Sequence, residues 1–183
     1  MVPGPVTAAI AACCAIPVGL LLPSALFGDL GVLRSLLHGE VVPRDAVLPI
    51  LHGTLAGLAV LAAVKLAFTA TSYASGTVGG LFAPPLVIGA ALGACVGRLA
   101  HTLAPGDHLP EVLALAGAAA AFTGSIRVPF TGVVMLLELA GTLRPAFALA
   151  LAAGVAHLLA TGLRARPIYD ALEARRVRLP QSA

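Results

Sequence analysis

Charged side chains are scarce in this sequence of 183 residues: they make up 10% of the chain, whereas 59% of the residues are hydrophobic. A soluble domain of this size has about a quarter of its residues charged. The composition therefore excludes an ordinary soluble globular domain and predicts helices that cross a lipid bilayer. The net charge is only +3, and no basic face with interleaved aromatic residues is visible, so we expect no nucleic-acid partner.

Tryptophan is absent and aromatic residues make up only 4% of the chain. The belt of aromatic side chains that anchors membrane helices at the lipid head groups is therefore thin. Close packing of the helices must then rest on small residues, and the 20 glycines and many alanines are suited to it.

Cysteine and histidine form no ligand cluster in the sequence. Cys13 and Cys14 are adjacent and Cys95 is isolated, which matches neither a disulfide framework nor a zinc site, so we expect packing residues. The five histidines are scattered without pairing at helical spacing. We expect no metal site and no cofactor. No nucleophile–base pair or phosphate loop is visible either, so the chain is not expected to be an enzyme.

Apolar runs separated by proline and glycine divide the chain into helices. The predicted apolar helices cover residues 6–22, 46–71, 81–103, 110–123, 130–140 and 144–161, and a short amphipathic helix begins at Pro167. Residues 24–38 are too short and mixed to span, and residues 39–45 are an exposed loop. Several of these helices fall below the ~20 residues of a simple crossing. The expected fold is all-α: a polytopic membrane protein with broken and tilted helices around an internal site.

The motif GGLFAPP at residues 79–85 is the most informative part of the sequence. It follows a run of small and hydroxylated residues at 72–80 that predicts unwound backbone at membrane depth, which is tolerated only where it lines a cavity or pathway. A helix beginning there, with Pro84 and Pro85 in its first turn, directs its unpaired N–H groups towards Gly80. We therefore predict an anion site on a permeation pathway. The alternative is a helix start whose glycines serve only close packing.

Three motifs, in the order in which they occur, resemble the C-terminal part of the CLC family of chloride channels and chloride/proton antiporters. They are GGLFAPP, SIRVPFTGVVMLLEL and RPIYDAL. The resemblance covers nearly the whole chain and is strongest from Ser75 to Leu172. It implies that residues 1–183 form a partial CLC-type fold whose N-terminal half is absent, because the family motifs G-S-G-I-P and G-[KR]-E-G-P do not occur here. This chain is thus expected to be a fragment.

The implied function is transport of chloride, as a channel or as a proton-coupled antiporter. The two are not distinguished, because the gating and proton-coupling glutamates belong to the N-terminal half. A homodimer is implied for the full-length protein. The alternative is a non-conducting truncated remnant or an assembly subunit.

The resemblance also implies the residues that hold the anion. In the family, a G-x-F-x-P motif opens a helix whose backbone amides bind chloride, which assigns this role to Gly80, Leu81, Phe82 and Ala83. A tyrosine in the short terminal helix donates its hydroxyl to the central anion, and here that residue is Tyr169. The alternative for this tyrosine is an anchor at the membrane interface.

Three charged residues lie in or beside apolar helices. Lys65 either raises the local potential for anions, as the resemblance implies, or extends to the interface from near a helix end. Arg127 either lies at the cytoplasmic surface, pairs with a helix C-terminus, or lines the anion entrance. Glu138 is expected to be hydrogen-bonded structure rather than a proton carrier.

Basic residues concentrate at the C-terminal end of the sequence. They are Arg164, Arg166, Arg175, Arg176 and Arg178. Because positive residues stay on the cytoplasmic side of membranes, this end is expected to be cytoplasmic, in an integral protein of the bacterial inner membrane.

Overall fold

The computed structural model describes residues 16, 33, 36, 54–74, 82–103 and 108–170. Apart from three single helical positions, the predicted segments at 6–22, 24–38 and 39–45 lie outside the described residues. The same holds for residues 46–53 of the predicted second span and for the end of the terminal helix. Every regular element in the described ranges is an α-helix.

Five helices make up the described part of the chain. They are α1 (Leu55–Ala74), α2 (Ala83–Leu103), α3 (Leu109–Ile126), α4 (Pro129–Ala140) and α5 (Ala146–Gly162), and a helical turn follows at residues 168–170. The first three are long and apolar enough to cross a membrane. At a rise of 1.5 Å per residue they are about 27 to 32 Å long, against a hydrocarbon core of about 30 Å. The expected all-α polytopic membrane protein, with shorter helices beside the full spans, is confirmed.

The first helix continues further than the sequence predicts. Ser72 and Tyr73, expected in unwound backbone, belong to α1. One residue earlier, the Thr71 hydroxyl donates hydrogen bonds to the carbonyl oxygens of Ala67 and Phe68, at 3.0 and 2.9 Å. Hydroxylated side chains that bond back to the preceding turn are compatible with helix. The rest of the expected unwound run, residues 75–80, lies outside the described residues.

The third helix also runs longer, and the expected break at residues 125–129 is narrower than predicted. Only Arg127 and Val128 are non-helical. Arg127 takes a left-handed conformation with φ of 71°, and its N–H donates to the carbonyl oxygen of Thr123 at 2.9 Å, closing α3. Val128 is non-helical, with φ of −118° and ψ of 78°, because it precedes Pro129, which begins α4. Two residues are therefore enough to turn the chain.

Helices α2 and α3 pack backbone against backbone. A Cβ atom on Gly89 would lie 2.4 Å from the carbonyl oxygen of Gly117, and one on Gly93 would lie 2.1 Å from that of Leu113. A Cβ on Gly97, further along α2, would lie 2.6 Å from the Cα of Pro110, near the start of α3. No side chain fits at such distances, so the expectation that small residues carry helix packing is confirmed here. The order of the contacts shows that the two helices are antiparallel.

Helix α3 occupies the centre of the described part, packed against α2, α4 and α5, while α1 packs on α2. The largest fully buried side chain is Phe122, on the last turns of α3. The antiparallel pairing places the start of α2 near the end of α3. The end of α5 also lies there, because Arg127 contacts it. Three helix ends therefore meet at one end of the bundle.

Candidate functional site

The start of α2 leaves two backbone donors free of helical pairing. The first four N–H positions of a helix have no partner in the helix itself. At this end they belong to Phe82, Ala83, Pro84 and Pro85, and the two prolines have no N–H. The donors of the described residues are therefore concentrated at Phe82 and Ala83, at the positive end of the helix dipole.

The structure brings Phe82 next to Tyr169, the other predicted contributor to the site. Their ring centroids lie 6.5 Å apart, with the ring planes inclined by 56°. Phe82 is 50% exposed and Tyr169 is 42% exposed, so the pair lies at a surface of the described part. Gly80 and Leu81, the remaining predicted amide donors, lie outside the described residues.

A third aromatic ring packs behind this pair. Phe122 of α3 lies with its ring centroid 5.8 Å from that of Phe82, at an interplanar angle of 32°. Both aromatic contacts fall in the 4.5–7 Å range that stabilises ring pairs beyond the area they bury. In contrast to the two outer rings, Phe122 is fully buried. The rings of Phe122, Phe82 and Tyr169 therefore form a continuous row of contacts from the core to the surface at the start of α2.

The segment that carries Tyr169 is tied to the end of α3 by Arg127. The guanidinium donates hydrogen bonds to the carbonyl oxygen of Ala160, to the Thr161 hydroxyl at 2.7 Å and to the carbonyl oxygen of Ala165 at 2.6 Å. These acceptors form the C-terminal end of α5 and the chain just after it, where a cation is favoured by the helix dipole. Of the alternatives that the sequence leaves open for Arg127, the geometry is that of pairing with a helix C-terminus.

Lys65 lies in the middle of α1, nine residues or more from either end of the helix. That separation corresponds to about 14 Å of helix, which is further than a lysine side chain extends. The residue is 2% exposed and has an interaction partner. Lys65 therefore does not reach an end of α1, and its ammonium group lies in the protein interior.

Other polar residues lie away from the three rings. Cys95 of α2 is half-buried, with its Sγ 3.6 Å from the carbonyl oxygen of Leu55, as expected of a packing residue. Glu138 is exposed on α4 rather than held inside the bundle. Among the residues that the structure describes, no group of three or more His, Cys, Asp or Glu side chains is placed to hold a metal ion.

Sequence reasoning missed Phe122 and its neighbour Gly132. A Cβ on Gly132, in the first turns of α4, would lie 2.9 Å from Cδ1 of the Phe122 ring. No local pattern marks either residue, since each is one more small or apolar residue in an apolar helix. Only the contact between α3, α4 and the start of α2 reveals them.

Comparison with known proteins gives a consistent set of relatives. The family model described as voltage gated chloride channel matches residues 1–161, which include the start of α2 and end before Tyr169. The H(+)/Cl(-) exchange transporter ClcA of Yersinia pestis is 32% identical over 161 residues, covering 85% of this chain and 34% of that protein. The protein of the same name from Salmonella arizonae is 36% identical over 108 residues, covering 58% of this chain and 23% of that protein. The chain thus spans about a third of the length of the first of these relatives.

Proposed function

Because this chain belongs to the voltage-gated chloride channel family, we propose that it forms the part of a chloride transporter that holds the anion at the start of α2. The function is transport rather than catalysis, with chloride as the transported ligand and no cofactor. The chain covers about a third of its relatives' length, so the proposal concerns a complete transporter that contains this segment.

The proposed anion ligands are the backbone N–H groups of Gly80, Leu81, Phe82 and Ala83 together with the hydroxyl of Tyr169. The observation that supports this assignment best is the contact between Phe82 and Tyr169, whose ring centroids are 6.5 Å apart. It brings a phenol beside the end of α2 where unpaired N–H groups concentrate. A helix N-terminus carries roughly half a positive elementary charge, which suits a halide stripped of water.

The donor set is suited to release as well as to capture. N–H and O–H groups are neutral, so they replace the water around an anion without the deep electrostatic well of a fixed cation. Arg127, the cation nearest this end of α3, is engaged with the end of α5. Lys65, inside the bundle, is proposed to raise the potential of the pathway over a longer range.

The remaining features of the proposal concern the whole protein. We propose a homodimer in the bacterial inner membrane, with the C-terminus in the cytoplasm. Large apolar side chains on α4 and α5 are exposed in the described part and would face lipid or a second copy: Phe130, Val134, Phe147, Leu151 and Leu158. Whether the protein is a channel or an antiporter, or a non-conducting assembly subunit, is decided by measuring flux.

Substitution of Tyr169 in the full-length protein tests the site. Tyr169→Ala should weaken chloride binding by about 10- to 150-fold, as measured by calorimetry in detergent, because a hydrogen bond to a charged partner contributes roughly 1.5–3 kcal/mol. The chain has one other tyrosine, Tyr73, in the last turn of α1. Tyr73→Phe removes the hydroxyl of this second tyrosine and should leave the affinity nearly unchanged. Unchanged affinity in Tyr169→Ala, or equal losses in both variants, would contradict the assignment.

Measurement of chloride and proton flux distinguishes a channel, an antiporter and a non-conducting subunit. In vesicles loaded with chloride, an antiporter moves protons against a pH gradient as chloride flows, whereas a channel does not. Chloride binding with no flux of either kind would instead favour the non-conducting subunit.

A further inference from the structure

The ring of Phe122 is confined on two sides, by Phe82 just before α2 and by Gly132 of α4. On one side its centroid lies 5.8 Å from that of Phe82, which precedes α2. On the other, a Cβ added to Gly132 of α4 would lie 2.9 Å from its Cδ1 and 3.6 Å from its Cε1. Phe122 is fully buried, so the ring has no side open to solvent.

Gly132 is special among the glycines of the shorter helices. A Cβ on Gly154, in the middle of α5, would meet no atom within 4 Å. An alanine is therefore tolerated at Gly154, whereas at Gly132 it would force the Phe122 ring to shift. The hydroxyl oxygen of Thr123, also buried, would lie 3.4 Å from the new Cβ and narrows the space further.

We propose that Phe122, held in place by the absence of a side chain at Gly132, is a positioning residue for the anion site. This inference rests on the proposed function, in which Phe82 contributes a backbone donor. The ring of Phe122 packs against the ring of Phe82, so its position fixes where that residue lies. Displacement of Phe122 moves the donor relative to Tyr169, and donors at a binding site must be held to within about 0.5 Å.

The pair of variants Gly132→Ala and Gly154→Ala tests the proposal in the full-length protein. Each adds one methyl group to a short apolar helix and brings the same gain in helix propensity, so a difference between them reports the contact with Phe122. Chloride affinity by calorimetry and the unfolding temperature are measured on the same folded samples. We expect Gly132→Ala to bind chloride roughly tenfold more weakly, within the range of coupling between contacting residues. Gly154→Ala should bind as the parent protein does.

Phe122→Leu is a second test of the same proposal, and unlike Gly132→Ala it adds no atoms to the packed interior. It removes the ring contact with Phe82 and should also weaken chloride binding. The double variant Gly132→Ala/Phe122→Leu should bind no more weakly than Phe122→Leu alone, because the smaller side chain makes room for the added methyl group. Additive losses in the double variant would overturn the proposal, and Phe122→Leu remains decisive if Gly132→Ala does not fold.

A purely structural role gives a different result. Phe122→Leu would then lower the unfolding temperature but leave chloride affinity unchanged in the folded protein, and that outcome overturns the positioning role. Failure of the proposed function is distinguishable: the parent protein would not bind chloride, or Tyr169→Ala would bind it normally. If Tyr169→Ala weakens binding while Gly132→Ala matches Gly154→Ala, only the positioning role of Phe122 fails.

Discussion

At the scale of single residues, the side chain of Arg127 connects elements far apart in sequence. It extends from the turn after α3 to Ala160, Thr161 and Ala165, at the end of α5. Four residues after the last of these acceptors comes Tyr169. The planar guanidinium offers several N–H donors in a fixed arrangement, which is how one side chain satisfies three acceptors. Arg127 thus holds the chain four residues before Tyr169.

Replacement of Arg127 by lysine distinguishes two roles of this residue: hydrogen bonding to the end of α5, and a contribution of its charge to the anion pathway. Lysine keeps the charge but loses the arrangement of N–H donors. We expect Arg127→Lys to lower stability by about 1–3 kcal/mol, since acceptors at the end of α5 lose their partner. The unfolding temperature in detergent measures this. Arg144→Lys, at an exposed position in the turn between α4 and α5, is the control and should have little effect. A stable Arg127→Lys protein would show that charge alone matters at this position.

The residues of the site differ in how far the sequence could predict them. Phe82 and Tyr169 stand in motifs, and the structure brings their rings together, although their role in binding stays a prediction. Phe122 contacts Phe82 across 40 positions of sequence. Arg127 reaches acceptors 33 to 38 positions away. Contacts of this kind depend on how helices pack, which local patterns do not encode.

At the scale of elements, the contact between α2 and α3 is the tightest in the described part. We expect Gly93→Ala to destabilise the protein by about 1–3 kcal/mol or more, because the added Cβ would lie 2.1 Å from a backbone oxygen that cannot rotate away. Gly154→Ala is again the control, and it should stabilise α5 by about 0.5–1 kcal/mol through lower backbone entropy. Thermal unfolding in detergent measures both. Equal stability in the two variants would show that α2 and α3 separate more easily than the distances indicate.

The helices themselves could be predicted better than their ends. Apolar length and proline positions predict all five described helices, and Pro84 and Pro85 mark the first turn of α2 correctly. The sequence predicts the C-terminal ends of α1 and α3 three residues before they occur. At α1, small and hydroxylated residues suggest a break, whereas such residues remain helical inside packed membrane helices. At α3, Pro129 suggests a break over residues 125–129, whereas only Arg127 and Val128 are non-helical.

At the scale of the whole molecule, the described part has two distinguishable ends. The start of α2 and the ends of α3 and α5 lie at one, and the end of α2 lies at the other. Leu163, just after α5, is 79% exposed, and Leu103, the last residue of α2, is 83% exposed. The two positions therefore lie at opposite ends of the described helices.

Cysteine labelling at these positions tests the orientation proposed from the basic C-terminal residues. In full-length protein whose native cysteines are replaced by alanine, Leu163→Cys should react with an impermeant reagent only in inside-out vesicles. Leu103→Cys should react only from the opposite side. The reverse pattern would place the C-terminus outside the cytoplasm and contradict the positive-inside assignment.

The interlocked glycines of α2 and α3 also restrict how this protein can change shape. At these glycines the two backbones lie too close for any side chain to fit between them, so we expect α2 and α3 to move together as one unit. The parts of the protein joined to these two helices by side chains alone are then freer to shift. The turn bearing Tyr169, fastened through the guanidinium of Arg127, is the nearest such part to the start of α2.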